Sequence, residues 1–182
     1  MRRTLTTASV LVAASALVAF APPRAHARPA AALDDPTIVA IFDAANKFDI
    51  ETGSLGAKRA QNKEVRDYGK MLAQVHTEVR KKAHALAAKL GVKPTPPKDF
   101  QMAKDHAAVM KKLRGLKGAA FDRAFLEHEQ AYHAAVIEAV KTTLLPAIQN
   151  QELKDFVTSL APAFEAHRLA AENLQKKIAN GN

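Results

Sequence analysis

Residues 119–145 read AAFDRAFLEHEQAYHAAVIEAVKTTLL, and this stretch decides the fold class. Its large apolar residues recur at intervals of three and four, which is the spacing of one buried face on an α-helix. They are Phe121, Phe125, Leu126, Val136, Ile137 and Val140. Pro146 follows and marks a turn. No part of the sequence shows the alternating pattern of a β-strand, so the sequence predicts an all-α protein.

Three further long helices are predicted from the same spacing. The first begins at Asp35-Pro36, an acidic N-cap followed by proline, and ends near Arg59. The second begins after Asn62 and ends at Gly91, a residue suited to the left-handed position after a helix. The last extends from about Asn150 to Ala179, with Pro162 expected to bend or locally break it.

The connection between the second and third long helices decides the topology. Residues 93–98 hold three prolines and predict a loop, and residues 100–114 predict a shorter helix that ends at Gly115 and Gly118. Short links elsewhere make two antiparallel hairpins, and a connection of about 27 residues is long enough to cross a bundle from end to end. We therefore expect a ferritin-like four-helix bundle with a short helix in its crossover. An up-down-up-down bundle is the alternative.

The N-terminal segment has the pattern of a secretory signal peptide over residues 1–27. Arg2 and Arg3 precede an apolar run, and Ala25-His26-Ala27 fits a small-x-small cleavage site, with residues 30–32 as a second candidate. Residues 28–34 are expected to form a disordered linker before a bundle domain at 35–180. The sequence predicts a periplasmic or secreted protein. Because it contains no cysteine, neither a lipid anchor on cysteine nor a disulfide is expected.

The charge of the chain argues against a nucleic-acid partner. The net charge is +9, and removing Arg2, Arg3 and Arg24 with the signal peptide leaves +6. The remaining basic residues are mixed with 18 acidic ones, and no basic stripe with interleaved aromatics occurs. No membrane anchor is expected, and the sequence identifies no protein partner. Since nucleophile, phosphate-binding and dinucleotide motifs are also missing from it, we expect binding rather than catalysis.

Four ligand-type side chains fall on the predicted buried stripes, one on each long helix. These candidate metal ligands are Glu51, His76, His133 and His167. Counting from the hairpin turns places them within about two helical turns of the same height. Three imidazoles favour zinc, copper or iron over magnesium or calcium. The sequence thus predicts one transition-metal ion inside the bundle, and a buried polar network without metal in a non-enzymatic envelope or interaction protein is the alternative.

The remaining polar residues carry weaker expectations. Glu129 and Asp122 share a helix face with His133 and are candidates for an additional ligand or a supporting partner. Asp122 is equally suited to capping the start of its helix. A redox site with two metals would need more inward carboxylates than the pattern supplies. The other three histidines, His84, His106 and His128, are predicted to be surface or boundary residues.

Several short motifs together resemble a known family over about residues 36–175. These are Phe48-x-x-Glu51 with Gly53 and Ala57-Lys58, Met71 before His76, Phe121-Asp122-x-x-Phe125 with His133, and Ala161-Pro162 with His167. The chain resembles the exported bacterial domain family of unknown function numbered 4142, which is grouped with the ferritin-like proteins. The resemblance implies a ferritin-like bundle outside the cytoplasm and implies no activity.

The sequence departs from its expected relatives at two points. Val75 precedes His76, where similar sequences often have aspartate. Ferritin-like proteins with two metals use Glu-x-x-His motifs, whereas the nearest pattern here is Glu129-x-x-x-His133. Both differences favour a site for a single ion.

Overall fold

The computed structural model describes residues 33–181, and these residues form helices and loops without any strand. The helices are α1 (Asp35–Arg59), α2 (Lys63–Lys89), α3 (Gln101–Gly115), α4 (Gly118–Ala139), α5 (Leu145–Ala147) and α6 (Gln151–Ala179), with a π-helical turn at Val140–Leu144. The all-α prediction is confirmed. The predicted signal peptide and most of the predicted linker lie outside the described residues. Within residues 33–181, no helix combines the length and the apolar character needed to cross a membrane.

The four long helices form a closed ring in which α1 packs on α2, α2 on α6, α6 on α4 and α4 on α1. Asp122 at the start of α4 accepts hydrogen bonds from the backbone N–H groups of the α1–α2 loop, and Asp35 at the start of α1 does the same for the loop before α6. Consequently α2 and α4 run in the same direction, and the connection through α3 returns along the bundle. This arrangement agrees with the predicted crossover and not with an up-down-up-down bundle.

The helix ends follow local chemistry with one shift from the prediction. Asp34, not Asp35, is the N-cap of α1, and its carboxylate accepts from the Thr37 N–H at 2.9 Å. Asn62 and Asn150 cap α2 and α6, at the positions where the sequence predicts these helices to begin, and Gly91 takes a positive φ of 67° after α2. An N-cap side chain satisfies N–H groups that the first turn leaves free.

Two of the long helices differ from the sequence prediction in where their regular α-helical structure is interrupted. Helix α6 continues through Pro162 without a break. The predicted helix 119–145 instead gives way to the π-helical turn after Ala139. A π-helical turn widens a helix locally, and such turns are frequent at functional sites.

The apolar core has two clusters with a polar layer between them. One cluster, nearer the start of α1, includes Ile38, Phe42, Val79, Val157 and Phe164. The other, nearer the α1–α2 loop, includes Val65, Tyr68, Leu72, Phe121 and Phe125. On α2 the residue between Leu72 and Val79 that faces inward is His76, which is 1% exposed. The two clusters therefore enclose a set of ionisable side chains.

Substituting Asp122 with asparagine is expected to lower the free energy of unfolding by about 2 kcal/mol. The Asp122 side chain is buried, and its two carboxylate oxygens accept the N–H groups of Gln61 at 2.8 Å and Asn62 at 2.7 Å. An amide offers only one acceptor oxygen, so one of these N–H groups loses its partner. Urea unfolding measures the change. Asp155→Asn is the control, because Asp155 is exposed and accepts a hydrogen bond from the exposed Gln151 side chain. Equal losses in the two variants would contradict the prediction.

Helices α1 and α2 approach each other closely at two glycines. A Cβ added to Gly53 would lie 2.7 Å from the Gly69 carbonyl oxygen and 2.9 Å from the Ala73 nitrogen. A Cβ on Gly69 would lie 2.7 Å from both the Ala57 nitrogen and the Gly53 oxygen. Because these neighbours are backbone atoms, they cannot rotate away. The close approach needs glycine on both helices.

Candidate metal centre

Three histidines from three helices meet in the polar layer. The ring centroids of His76 and His133 are 5.8 Å apart, those of His76 and His167 5.2 Å, and those of His133 and His167 5.3 Å. One ring nitrogen of each lies within 4.8 Å of one nitrogen of each of the others. Exposure is 1% for His76 and His133 and 6% for His167. The structure therefore brings three of the four predicted ligands together.

Hydrogen bonds orient two of these rings and set their tautomers. Asn46 donates its amide to the Phe42 carbonyl, so its oxygen faces His76 and accepts from His76 Nδ1 at 2.9 Å. His133 Nδ1 donates to the Glu129 carbonyl at 2.9 Å. A histidine that donates through Nδ1 keeps a lone pair on Nε2 for a metal ion. Neither Nε2 has a hydrogen-bond partner among residues 33–181.

Two buried carboxyl groups adjoin the histidines. Asp49 on α1 is 3% exposed, and Glu129 on α4 is 0% exposed. Each offers an oxygen within 4.8 Å of the other and of a His133 nitrogen. Asp49 also lies 3.6 Å from His76 Nδ1 and 3.8 Å from His133 Nε2. All four long helices thus contribute to one layer of five side chains: Asp49, His76, Glu129, His133 and His167.

Burial shifts the pKa values of this layer toward the uncharged forms. It raises the pKa of Glu129 to about 8, and it raises the pKa of Asp49 well above its ordinary value, with the nearby Glu129 adding to the effect. It lowers the pKa of His76 to about 3 and that of His133 to about 4. Thr52 and Asp49 lie close enough to Glu129 to lower its pKa against this effect, yet neither Glu129 oxygen has a hydrogen-bond partner of ordinary geometry within the described residues. Uncompensated buried groups of this kind are costly, and a cation would satisfy them.

Glu51 does not join the histidines, which corrects the sequence-based expectation for this residue. Its carboxylate accepts from His106 Nε2 at 2.7 Å, and its side chain is 39% exposed. Phe48, three residues earlier, stacks on the same His106 ring with centroids 4.1 Å apart. The stripe through Phe48 and Glu51 therefore faces α3 and not the bundle interior.

Asp122 also lies away from the layer, since its carboxylate binds the α1–α2 loop as described above. Among the histidines expected at the surface or boundary, His84 is exposed and pairs with Asp43. His106 is 9% exposed and packs on α1. His128 is partly buried, and burial lowers its pKa to about 4.

The sequence interpretation missed Asp49, although the sequence contains a signal for it. Counting from Ile38, the residues after 4, 7, 11, 14 and 18 positions are Phe42, Ala45, Asp49, Thr52 and Gly56, and all of them are buried. This is the spacing of the true inward stripe on α1. Glu129, one turn before His133, was predicted as an additional ligand or a supporting partner, and it is the most deeply buried carboxyl of the layer.

Comparisons with known proteins give a family and nothing more specific. No curated protein and no solved structure matches the chain significantly. A family model described as a domain of unknown function, DUF4142, matches residues 20–174, which is most of the chain. The match agrees with the resemblance that the motifs indicated. The chain belongs to the DUF4142 family.

Proposed function

We propose that this protein binds a transition-metal ion in the polar layer of its bundle. His76, His133 and His167 are the nitrogen ligands, and Asp49 and Glu129 supply carboxylate oxygens. The observation that carries the proposal is the convergence of ring nitrogens within 4.8 Å of one another in a fully buried layer. Bonds from an ion to imidazole nitrogens are about 2 Å long, so small side-chain rotations suffice to reach a common centre.

The unpartnered atoms support a bound ion over a network without metal. His76 Nε2, His133 Nε2, His167 Nδ1 and both Glu129 oxygens lack hydrogen-bond partners among residues 33–181. A network that only fixed helix register would pair these atoms with one another. A cation instead accepts lone pairs from several such atoms at once, and His133 belongs to both groups of converging ligand atoms. The hydrogen bonds on His76 Nδ1 and His133 Nδ1 are those that orient metal-bound histidines.

The donor set indicates the class of metal and of activity. Imidazole nitrogens suit zinc, copper and iron, and purely oxygen-ligated magnesium or calcium is disfavoured. With three histidines and two carboxylates available, a tetrahedral zinc ion would keep no open position for water, which argues against hydrolysis. We therefore favour metal binding in the cell envelope, or a role in stress, over an enzymatic function. The signal-like segment at residues 1–27 supports placing this role outside the cytoplasm.

The test is elemental analysis of the full chain, expressed without a histidine tag and exposed separately to zinc, copper(II) and iron(II). We expect about one ion per chain for at least one of these metals and a large loss of metal in His133→Ala, since His133 belongs to both ligand groups. Far-UV circular dichroism establishes that the variant is folded. A ratio of metal to protein that is well below one and unchanged in His133→Ala would contradict the proposal.

Asp49→Asn and Glu51→Gln form a matched pair that tests which carboxylate binds. Asp49 lies in the layer, whereas Glu51 pairs with His106 outside it. We expect Asp49→Asn to weaken metal binding by about tenfold or more and Glu51→Gln to leave it unchanged. Titration calorimetry with the preferred metal gives both affinities. A stronger effect of Glu51→Gln would show that the ligand set is misassigned.

A further inference from the structure

A largely apolar cavity of about 350 Å³ lies beside the polar layer. Residues of α1, α4 and the π-helical turn form its walls, α3 covers it, and Phe164 of α6 lies at its base. Its apolar lining includes Ile41, Phe42, Met102, Val109, Val136 and Val140. The cavity reaches the layer through Asn46, Asp49 and His76. One end of the space therefore meets candidate metal ligands, and most of the remaining lining is hydrophobic, with Asp105, His106, His128 and Tyr132 as its polar members.

The size and lining of the cavity indicate the class of molecule that fits. An engineered apolar cavity of about 150 Å³ in another protein binds benzene, so about twice that volume accommodates two fused rings. The rings of Phe42, Phe164, Tyr132 and His106 border the space. Aromatic side chains favour edge-to-face and offset contacts with another aromatic ring. An aromatic occupant suits these walls better than a polar or strongly charged molecule.

We propose that this cavity binds a small aromatic molecule of about two rings and directs its polar substituent toward Asp49 and His76. The apolar body fills the space under α3, where it displaces water from hydrophobic surface. A hydroxyl or similar group at the inner end reaches the polar layer. Contact of that group with a bound metal rests on the proposed function, whereas binding of the aromatic body does not.

Helix α3 forms one side of the cavity. Helix α3 is attached near the cavity by the stacking of His106 on Phe48 and the hydrogen bond of His106 to Glu51. His106 itself lines the cavity. Below α3, the π-helical turn places Val140 and Leu144 along the wall. An occupant of the cavity would therefore contact α3 as well as the long helices.

The test uses naphthalene and 2-naphthol as a matched pair that differs by one hydroxyl. Since the chain has no tryptophan and only two tyrosines, probe fluorescence excited where tyrosine does not absorb reports binding directly. Metal-free protein is expected to bind one naphthalene saturably. Ala139→Phe, which fills the cavity from α4, is expected to weaken binding by about tenfold or more. Ala134→Phe on the exposed face of the same helix is the control and should leave the affinity unchanged.

A second variant and the metal-loaded protein complete the design. Val109→Phe fills the cavity from α3 and should also weaken naphthalene binding, so the test does not depend on the folding of one variant. Loading the metal should strengthen the binding of 2-naphthol and leave that of naphthalene unchanged. No saturable naphthalene binding, or equal binding in the filled and control variants, overturns the cavity proposal. If no metal binds, the proposed function fails, but the naphthalene measurement still tests the cavity proposal. Equal 2-naphthol affinity with and without bound metal overturns the assigned orientation.

Discussion

Gly69→Ala is expected to lower the free energy of unfolding by about 3 kcal/mol, near the upper end for overpacking substitutions. The added methyl group would lie 2.7 Å from the Ala57 nitrogen and 2.7 Å from the Gly53 oxygen. Both are backbone atoms of α1, so relief requires moving one helix away from the other. That movement would loosen the packing of α1 on α2 along its whole length, because rigid helices transmit local displacements.

Urea unfolding monitored by circular dichroism measures this loss. Gly115→Ala is the matched control, since a Cβ there meets no atom within 4 Å and Gly115 ends a helix without a positive φ. Alanine favours helix over glycine, so the control is expected to be neutral or slightly stabilising. If Gly69→Ala were as stable as Gly115→Ala, the close approach of α1 and α2 would be wrong.

Glu129→Gln is expected to make the metal-free protein more stable at alkaline pH while weakening metal binding. Burial raises the pKa of Glu129 to about 8, so the folded state keeps a proton that the unfolded state loses above its ordinary pKa. The wild-type protein therefore loses stability as the pH rises from that ordinary value to about 8. Glutamine does not ionise, and the variant lacks this loss.

The measurement is the difference in unfolding free energy between Glu129→Gln and wild type, taken without metal at about pH 5 and about pH 9. From about pH 5 to about pH 9, the unfolding free energy of the variant relative to that of wild type should rise by about 4 kcal/mol. The histidines, whose pKa values are lowered, are present in both proteins and largely cancel. The variant also removes the part of the upward pKa shift of Asp49 that Glu129 causes, which favours the variant in the same direction at alkaline pH. Glu127→Gln is the control on the exposed face of α4. A difference that does not change with pH would mean that Glu129 is already compensated.

Bound metal should reverse the comparison. An ion beside Glu129 stabilises the ionised carboxylate, so the wild-type protein should then keep its stability at about pH 9. The variant should gain less from the same metal. A binding residue is expected to destabilise the metal-free protein and to stabilise the metal-bound protein, whereas a structural residue is not.

Much of the fold could be predicted from the sequence because its signals are local. Apolar residues at three-four spacing, the caps Asn62 and Asn150, and Gly91 give the helix positions to within a residue or two. The connection through α3 is long enough to select the crossover. The π-helical turn after Ala139 has no comparable local signal, since Val140–Leu144 contains no proline or glycine and continues the apolar pattern.

The candidate site was predicted in part, and the missing part has a geometric cause. His76, His133 and His167 each lie on the apolar stripe that the sequence predicts to be buried, and each is buried in the structure. Helix α1 has two such stripes, one facing the interior and one facing α3, and the second carries Phe48 and Glu51. Sequence spacing alone cannot tell which of two stripes faces the other three helices. The packing of α3 decides it, and Asp49 takes the place expected for Glu51.

The reciprocal contacts at the two ends of the bundle imply a hidden symmetry. Gln61-Asn62-x-Glu64 and Gln149-Asn150-x-Glu152 occupy equivalent turns, and each is held by an aspartate at the start of the opposite hairpin. Each hairpin thus makes the same contact to the other hairpin. In a two-fold dimer the two subunits contact each other in this reciprocal way, and here both halves belong to one chain. The ligand set does not follow that symmetry, since one half gives Asp49 and His76 and the other gives Glu129, His133 and His167. A frame with approximate two-fold symmetry thus holds an asymmetric group of candidate ligands, which adjoins the apolar cavity through Asp49 and His76.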